Sequence, residues 1–364
     1  TGSTPSGLPR ARATLLAGGG GAGSADDLPL GPEALAPGAA IAIPIVQGDA
    51  SLSAVGTVTW RDGDRVLAFG HPMFHMGRTA LPMATARIET VMPSFASSFK
   101  FGTASQVVGT MDVDMRNGIG GALGPAPRTI PLDISISDPL SGPPQAYHFD
   151  IVDNPDLTPV FCASMAGSAV IALGKRMGDA TVDVSTTIRL VDGRELSTTN
   201  TMNVGAPSSA AASQVVRPLS LLMDNPLGIV SVASVRQAVT IRHRLEALTL
   251  QQVVLATTEP RVGGTLEAML VLKNYRGETE RRTISLRIPE GLPARDYQLQ
   301  IADADTWLTK DGGRAPALYR PQTIDQLLDR LRDERSEPVL QMTLVDPRPG
   351  VAAPGLEMGR LPVS

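Results

Sequence analysis

The sequence predicts a mainly β protein with two folded units, and three observations lead to this prediction. Of 364 residues, 36 are Gly and 30 are Pro, which suits many short strands joined by turns. Short apolar runs recur along the chain, and several alternate apolar with polar residues as half-buried strands do. Hydrophobic residues make up 42% and charged residues 19%, so the chain can bury a sizeable core and disorder throughout is excluded.

Composition excludes several classes of function. The formal net charge is −4 at pH 7, so we expect no basic face for nucleic acid or for an anionic membrane. The single cysteine, Cys162, cannot form an internal disulfide, and the four histidines come without a Cys-x-x-Cys pair. No apolar run reaches the roughly 18 residues that a membrane-spanning helix needs. We therefore expect no metal, no cofactor, no nucleic acid and no membrane insertion.

The two ends of the chain look unlike a folded domain. Residues 1–38 are rich in Gly, Ser, Pro and Ala and poor in large apolar side chains, which predicts a flexible linker. The chain starts at Thr1 with neither an initiator Met nor a signal-peptide pattern, and residues 359–364 contain no terminal element. We therefore expect a processed form or a fragment.

The first folded unit is expected at residues 39–205. Asp62-Gly63 between two apolar runs is a strong hairpin signal. A helix is predicted over Leu157–Met177, where apolar residues recur near helical spacing and Ala is frequent. The other apolar runs are predicted strands: Ile41–Val46, Leu52–Trp60, Arg65–Phe69, Met83–Met92, Gln106–Val113, Thr129–Ile136, Tyr147–Val152, Thr181–Leu190 and Glu195–Val204.

The second unit is expected at residues 206–364. The small, polar stretch Pro207–Ser213 places the boundary near Gly205. The spacing of the strands that follow predicts an immunoglobulin-like β-sandwich, with Ile288–Leu299 as its closing hairpin. A short helix capped by Thr323 is expected over Thr323–Arg335. The predicted strands are Ile229–Ala233, Val235–Leu250, Gly264–Lys273, Arg282–Ile288 and Tyr297–Ala302.

The most distinctive segment presents His71 between Gly70 and Pro72, directly after the predicted hairpin. Glycine permits close approach of a backbone or a substrate, and proline fixes the turn, so the imidazole would be held in one orientation. A general base requires such an orientation. A histidine satisfied by backbone hydrogen bonds would fit the same residues, and the local sequence does not separate the two interpretations.

A longer pattern resembles the SpoIVB-type (sporulation factor IV B) serine peptidase family. The matching blocks cover roughly residues 37–190, about half the chain. By this resemblance the domain would be a chymotrypsin-like double β-barrel, and His71 would be the catalytic histidine of a serine endopeptidase. The blocks are Gly48-Asp49, Gly56–Thr59, Asp62–Asp64, Ala68–Pro72, Ser98–Lys100, Val108–Thr110, Asp114–Gly124 and Ile130–Leu132.

The serine block of that family, Gly-x-Ser-Gly-x-Pro, is missing from this sequence. In large secreted members the block lies before the histidine, so here it would precede Thr1, and Gly2–Pro5 is only a faint echo of it. A histidine without a nucleophile and an oxyanion hole cannot transfer an acyl group. We therefore expect this chain alone to be inactive.

Other residues are candidates for the remaining catalytic roles. Ser168, in Ala166–Ala169, resembles a nucleophile turn but lies within the predicted helix. Ser94, Ser97, Ser98 and Ser164 have less context still. The orienting acid could be Asp49, Asp62, Asp64, Asp112 or Asp114, and the spacing favours none of them. Asp62 and Asp64 are better suited to building the hairpin turn.

Three further motifs have structural interpretations. His71 and His75 are four apart, as in zinc helices, but Pro72 argues against a helix and no third ligand is evident, so His75 is expected to flank the cleft. The glycines of Gly118–Gly124 fit tight strand turns better than a phosphate loop. His148 and His243 lie in strand-like runs and are expected to be structural.

Two hypotheses follow. In the first, the chain is part of a secreted serine endopeptidase in which His71 is the general base for a serine outside this sequence. In the second, it is a non-catalytic module of the cell envelope that holds a peptide or protein strand in its cleft or at a sheet edge. Under either hypothesis the binding partner would be a peptide or protein, and the protein would be located in the cell envelope or the extracellular space.

Overall fold

The computed structural model describes residues 31–93, 99–173, 178–333, 340–347, 351–353 and 356–358. It is 50% strand and 19% helix, which confirms the mainly β prediction. Most of the predicted linker, the faint serine-block echo at Gly2–Pro5, Ser94, Ser97, Ser98 and the last six residues lie outside the described ranges.

The first architectural feature is a closed ring of six antiparallel strands. Neighbours follow the order β1-β2-β3-β6-β5-β4, and the ring closes where Ile41 and Ala42 of β1 pair with Thr85 and Ala84 of β4. Closure removes free edges from this part of the sheet. The strands are β1 (Ala40–Gly48), β2 (Leu52–Asp62), β3 (Arg65–Ala68), β4 (Gly77–Met92), β5 (Phe99–Met115) and β6 (Gly118–Leu123).

Glycines let the ring strands approach closely. A Cβ atom on Gly109 would lie 2.2 Å from the Ala122 carbonyl oxygen, and one on Gly121 would lie 2.3 Å from that of Thr110. The glycine-rich stretch after residue 117 therefore forms a ring strand, β6, in keeping with the structural interpretation of these glycines. The Asp62-Gly63 hairpin joins β2 to β3 as predicted, with Gly63 at φ 54°.

The sheet continues beyond the ring, because β8 pairs with the end of β1. The strand order on this side is β10-β9-β11-β7-β8-β1, and of the described pairs only β11–β7 is parallel. The chymotrypsin-like double barrel remains a prediction, since the described residues close one ring and then form this open sheet. These strands are β7 (Thr129–Ser137), β8 (Gln145–Val152), β9 (Ala180–Leu190), β10 (Glu195–Val204) and β11 (Val232–Arg242).

Two helices pack against each other and against the open sheet: α1 (Thr158–Ala172) and α2 (Pro207–Met223). Their small and apolar residues, among them Cys162, Ala166 and Val215, are buried in the core that also contains the inner residues of the strands. The predicted helix is confirmed over α1. The interpretation of Pro207–Ser213 as a small, polar stretch at a domain boundary is wrong, because its small residues begin α2 and lie against α1.

The predicted boundary near Gly205 is also wrong. Strand β11 lies between β9 and β7, and Val235, Val239 and Ile241 on its inner side are buried in the same core. The first unit therefore extends to Arg242. It also begins before residue 39, because Leu35 is fully buried in this core and Arg61 donates a hydrogen bond to the Pro32 carbonyl.

The rest of the chain contains β12 (Leu248–Leu255), β13 (Thr265–Asn274) and β14 (Thr279–Arg287), which form an antiparallel sheet. This arrangement differs from the expected sandwich. The predicted closing hairpin is wrong, because the strand after Pro293 pairs with β16 and not with β14. The remaining elements are β15 (Gln298–Ala302), α3 (Ala304–Arg314), α4 (Ile324–Arg332), β16 (Gln341–Val345), β17 (Val351–Ala353) and β18 (Leu356–Met358).

Helix α4 attaches the C-terminal residues to the main sheet. Thr323 caps the helix as predicted, accepting a hydrogen bond of 3.2 Å from the Gln326 N–H. Leu327, Leu328 and Leu331 join the main core, and Arg332 donates to the Glu195 carbonyl. Of the helices that the structure describes, none combines the length and apolarity needed to cross a membrane.

Candidate functional site

His71 lies in a tight loop between β3 and β4, residues 69–76, which we name the His71 loop. Phe69 has φ 73° and His75 has φ 61°, a left-handed backbone conformation that residues other than glycine rarely adopt. Gly70 and Gly77 also have positive φ, where glycine carries no penalty. Two strained residues in one short loop require surrounding contacts that hold the loop in place.

The main contact is the carboxylate of Asp114, near the end of β5. It accepts hydrogen bonds from the backbone N–H groups of Met73 (2.8 Å), Phe74 (2.6 Å) and Met76 (3.3 Å). Asp114 is only 1% exposed. Hydrogen bonds to a buried carboxylate are among the stronger ones in proteins, so this side chain fixes the path of the loop.

The start of the loop is held by packing on the ring. The Phe69 ring lies over Gly56, where an added Cβ would come within 2.2 Å of the ring. On the other side, a Cβ on Gly118 would lie 2.9 Å from the Ala68 carbonyl oxygen and 3.5 Å from the Gly70 nitrogen. Two glycines of the ring therefore leave room for the backbone that precedes His71.

The His71 side chain is exposed, and one ring nitrogen is occupied. Its Nδ1 lies 2.8 Å from the carbonyl oxygen of Pro72. Because a carbonyl can only accept, Nδ1 must carry the proton of this hydrogen bond. In the neutral imidazole, Nε2 then keeps its lone pair, and no residue in the described part of the chain hydrogen-bonds to it.

The five candidate orienting acids lie elsewhere, and none hydrogen-bonds to His71 within the described ranges. Asp49 accepts the His148 N–H (2.7 Å), and Asp112 pairs with Arg65 (2.9 Å). Asp62 and Asp64 are exposed at the β2–β3 turn. The remaining candidate, Asp114, binds the backbone of the loop instead of the imidazole.

No serine hydrogen-bonds to His71 among the residues that the structure describes. Ser168 lies inside α1, as the helical interpretation predicts, and the neighbouring Gly167 faces Ser208 of α2. Ser164 donates to the Val160 carbonyl one turn earlier (2.9 Å). The described residues therefore supply a histidine and its anchor, without a nucleophile.

The segment from His71 to His75 is not helical. Among the described residues, no three His, Cys, Asp or Glu side chains are grouped so that they could hold a metal ion. The side chain of Phe74, between the two histidines and 45% exposed, adds an apolar surface to the same loop.

Sequence reasoning missed one polar contact close to the site. The ammonium group of Lys100 donates a hydrogen bond of 2.7 Å to the Thr57 hydroxyl. The Thr57 carbonyl in turn accepts the Phe69 N–H at 3.0 Å. A cation thus lies beside the strand end that leads into His71, and no sequence pattern marks it, since Lys100 and Thr57 are 43 residues apart.

His148 and His243, the two histidines outside the His71 loop, have carboxylate partners. His148 Nδ1 lies 2.7 Å from Asp133, directly across from it on the neighbouring strand. His243 Nε2 lies 2.9 Å from Asp138, which is 5% exposed. Burial alone would raise the pKa of Asp138, but hydrogen bonds from Leu140, Ser141 and His243 outweigh it and keep this pKa below its ordinary value.

The single cysteine offers no second nucleophile. Cys162 is fully buried in α1, and this burial raises the pKa of its thiol far above the ordinary value. The thiolate, which is the reactive form, is therefore suppressed at neutral pH.

Comparison with known proteins adds no relative: no family model, curated protein or solved structure matches this chain.

Proposed function

We propose that the His71 loop is the histidine half of a serine endopeptidase site, with its nucleophilic serine supplied from outside this sequence. The resemblance to the SpoIVB-type family motivates the proposal. The observation that carries it is the state of the His71 ring. Its Nδ1 is committed to the Pro72 carbonyl, and its exposed Nε2 has a lone pair available for a serine proton.

In this proposal each described residue has a defined part. Nε2 of His71 removes the proton from the serine hydroxyl as that oxygen attacks a peptide carbonyl, and later returns it to the leaving amine. The Pro72 carbonyl holds the Nδ1–H, a role that an aspartate has in the Ser-His-Asp triad. Asp114 is a positioning residue, because it holds the backbone on which the imidazole is mounted.

The same geometry restricts where an oxyanion hole could be. Such a hole needs free backbone N–H groups aimed at the developing negative charge. Three N–H groups of the loop, from Met73, Phe74 and Met76, are already bonded to Asp114. These three groups cannot act as oxyanion donors, and in this proposal the donors come with the serine segment. The substrate would be a peptide or protein, and the setting the cell envelope or the extracellular space.

The test is labelling with an activity-based fluorophosphonate. The full-length gene product is compared with its His71→Ala and His75→Ala variants and with the 364-residue chain. We expect the full-length protein to be labelled, His71→Ala to lose at least about 100-fold in labelling rate, and the short chain to stay unlabelled. The His75→Ala variant, altered in the same exposed loop, should be labelled normally.

Two results would contradict the proposal: labelling that survives His71→Ala, or no labelling of a folded full-length protein. The second result would favour the alternative, a non-catalytic module that binds peptide strands. That alternative is supported by the lack of any serine or carboxylate bonded to His71 in the described residues, and by the sheet edge at β10.

A further inference from the structure

Strand β12 is an edge strand with an unusual composition. Within the described residues it is hydrogen-bonded only to β13. Its eight residues, Leu-Thr-Leu-Gln-Gln-Val-Val-Leu from 248 to 255, include no charge and no proline. Long, apolar edge strands are prone to pair with another strand, and charges or prolines normally prevent this.

The opposite edge of the same sheet is protected. Strand β14 contains Glu280, Arg281, Arg282 and Arg287, so its free edge carries the charges that disfavour pairing. The two edges of this three-stranded sheet therefore differ: the charges on β14 disfavour pairing with another strand, and β12 has no such charges.

The inner face of this sheet is incompletely covered at β12. On β13 the inner residues Leu270 and Leu272 are each 2% exposed. Their partners across the ladder are Val253 and Leu250, so these β12 side chains lie on the same face. Val253 is nevertheless 36% exposed, and Leu248 is 39% exposed. The inner apolar side chains are therefore buried on β13 and partly exposed on β12.

We propose that β12 pairs with β12 of a second copy of this chain, antiparallel, about a two-fold axis perpendicular to the sheet. Such an axis requires a self-complementary surface, and the strand is close to a palindrome. Leu248 lies opposite Leu255 of the other copy, Leu250 opposite Val253, and Gln251 opposite Gln252. The pairing joins the two inner apolar layers into one.

The register is set by the same pattern. Sliding the pair by one residue in either direction places a glutamine opposite Leu250 or Val253. Gln251 is the extra residue of a β-bulge between Leu250 and Gln252. Because of this bulge, Leu248, Leu250, Val253 and Leu255 all face the inner side, which keeps apolar residues opposite apolar residues in the proposed register.

The absence of charge on β12 favours a second copy as the occupant. In a two-fold antiparallel pair, any charge near the centre of the strand would lie close to its own copy and repel it. A strand selected to bind a different peptide would have no reason to match its own sequence in reverse. Chain association through β12 does not depend on the proposed peptidase site, since the His71 loop joins two strands of the other, larger sheet.

The test uses sedimentation velocity on the 364-residue chain across the micromolar range, with Leu250→Glu and Val253→Lys as separate variants. We expect the unmodified chain to sediment as a dimer. Each variant alone should weaken self-association by at least about 100-fold, because its charge would be buried against an apolar residue. Mixing the two variants should restore a dimer, since the introduced carboxylate of one chain then lies opposite the introduced ammonium group of the other.

Thr283→Lys on β14 is the matched control and should leave the dimer intact, and thermal unfolding of each variant checks that it folds. If Leu250→Glu does not fold, the directly opposed pair Thr249→Glu and Val254→Lys tests the same edge at exposed positions. A monomeric unmodified chain would overturn the proposal. So would dimerisation that both β12 variants leave unchanged, or variants whose mixture stays monomeric.

Discussion

Two buried carboxylates, Asp114 and Asp138, each hold a loop in place. They differ in whether they also hydrogen-bond to the nearby histidine, which is His71 for Asp114 and His243 for Asp138. Asp114 takes three backbone N–H groups of the His71 loop and does not touch the imidazole. Asp138 takes the Leu140 N–H and the Ser141 hydroxyl of its own loop, and it also accepts from Nε2 of His243. Asp114 therefore positions the backbone that carries the His71 ring without contacting the ring, and Asp138 binds the His243 ring itself.

This difference distinguishes a histidine that is exposed to solvent from a histidine that stabilises the fold. A histidine bonded to a buried carboxylate contributes to the fold, because removing it leaves the carboxylate short of a partner. Among the described residues, the hydrogen-bond partner of His71 is the next carbonyl, so this histidine should contribute little to the fold, and its Nε2 is available. The predictions below test this contrast, from the largest expected effect to the smallest.

The largest effect is expected from Asp114→Ala. Three N–H groups would lose their acceptor and two left-handed residues would lose their restraint, so we expect a loss of about 3–5 kcal/mol in the free energy of unfolding. Urea denaturation measures it. Asp112→Ala, two residues earlier and paired with the exposed Arg65, should cost about 1 kcal/mol or less. Equal costs for the two variants would contradict the anchoring role.

Gly56→Ala tests the packing under the loop. The added methyl group would overlap the Phe69 ring, so the ring must move, at an expected cost of about 1–3 kcal/mol in unfolding free energy. Gly205→Ala is the control, because a Cβ there meets nothing within 4 Å. Thermal denaturation of both variants decides the point, and a neutral Gly56→Ala would show that Phe69 is not seated on this glycine.

Asp138→Asn should give a pH-dependent effect. The lowered pKa of Asp138 means that its ionised form stabilises the fold at neutral pH, and that this stabilisation is lost as the pH falls below about 4. We expect the variant to be about 1–2 kcal/mol less stable than the unmodified protein at neutral pH. In urea titrations at successively lower pH the difference should shrink, and a constant difference would argue against an ionised Asp138.

The smallest effect is expected from His71→Ala, at about 0.5 kcal/mol or less in unfolding free energy. His243→Ala should cost about 1–2 kcal/mol, since the buried Asp138 loses a partner. Chemical denaturation of the two variants side by side tests the contrast directly. If His71→Ala were the more costly change, His71 would be a structural histidine.

Much of the fold followed from sequence, because alternating strands are a local signal. The nine predicted strands before Gly205 and the helix over α1 are all present, with shifted ends. The boundary near Gly205 failed for a physical reason: the Ala and Ser residues at the start of α2 look polar and flexible, yet they are small enough to pack against α1. The parallel pairing of β11 with β7 joins residues about 100 apart, which no local pattern reveals.

The site was predictable only in part. The Gly70-His71-Pro72 triplet identified the exposed histidine, since each residue has a local conformational role. The contact between Asp114 and the loop spans about 40 residues and uses backbone donors, so the sequence gives no sign of it. Asp114 was one of five candidate acids, and geometry gives it a different role, that of holding the loop and not the ring.

The most direct test of this account is the protonation of the His71 ring nitrogens, measured from their ¹⁵N chemical shifts at a pH where the imidazole is neutral. His71→Ala identifies the resonances of this side chain. We predict a protonated Nδ1 and an unprotonated Nε2, and we predict that Asp114→Asn, if folded, mixes the two tautomers. A proton found on Nε2 in the unmodified protein would contradict the account, because the nitrogen that faces solvent could then not act as a base.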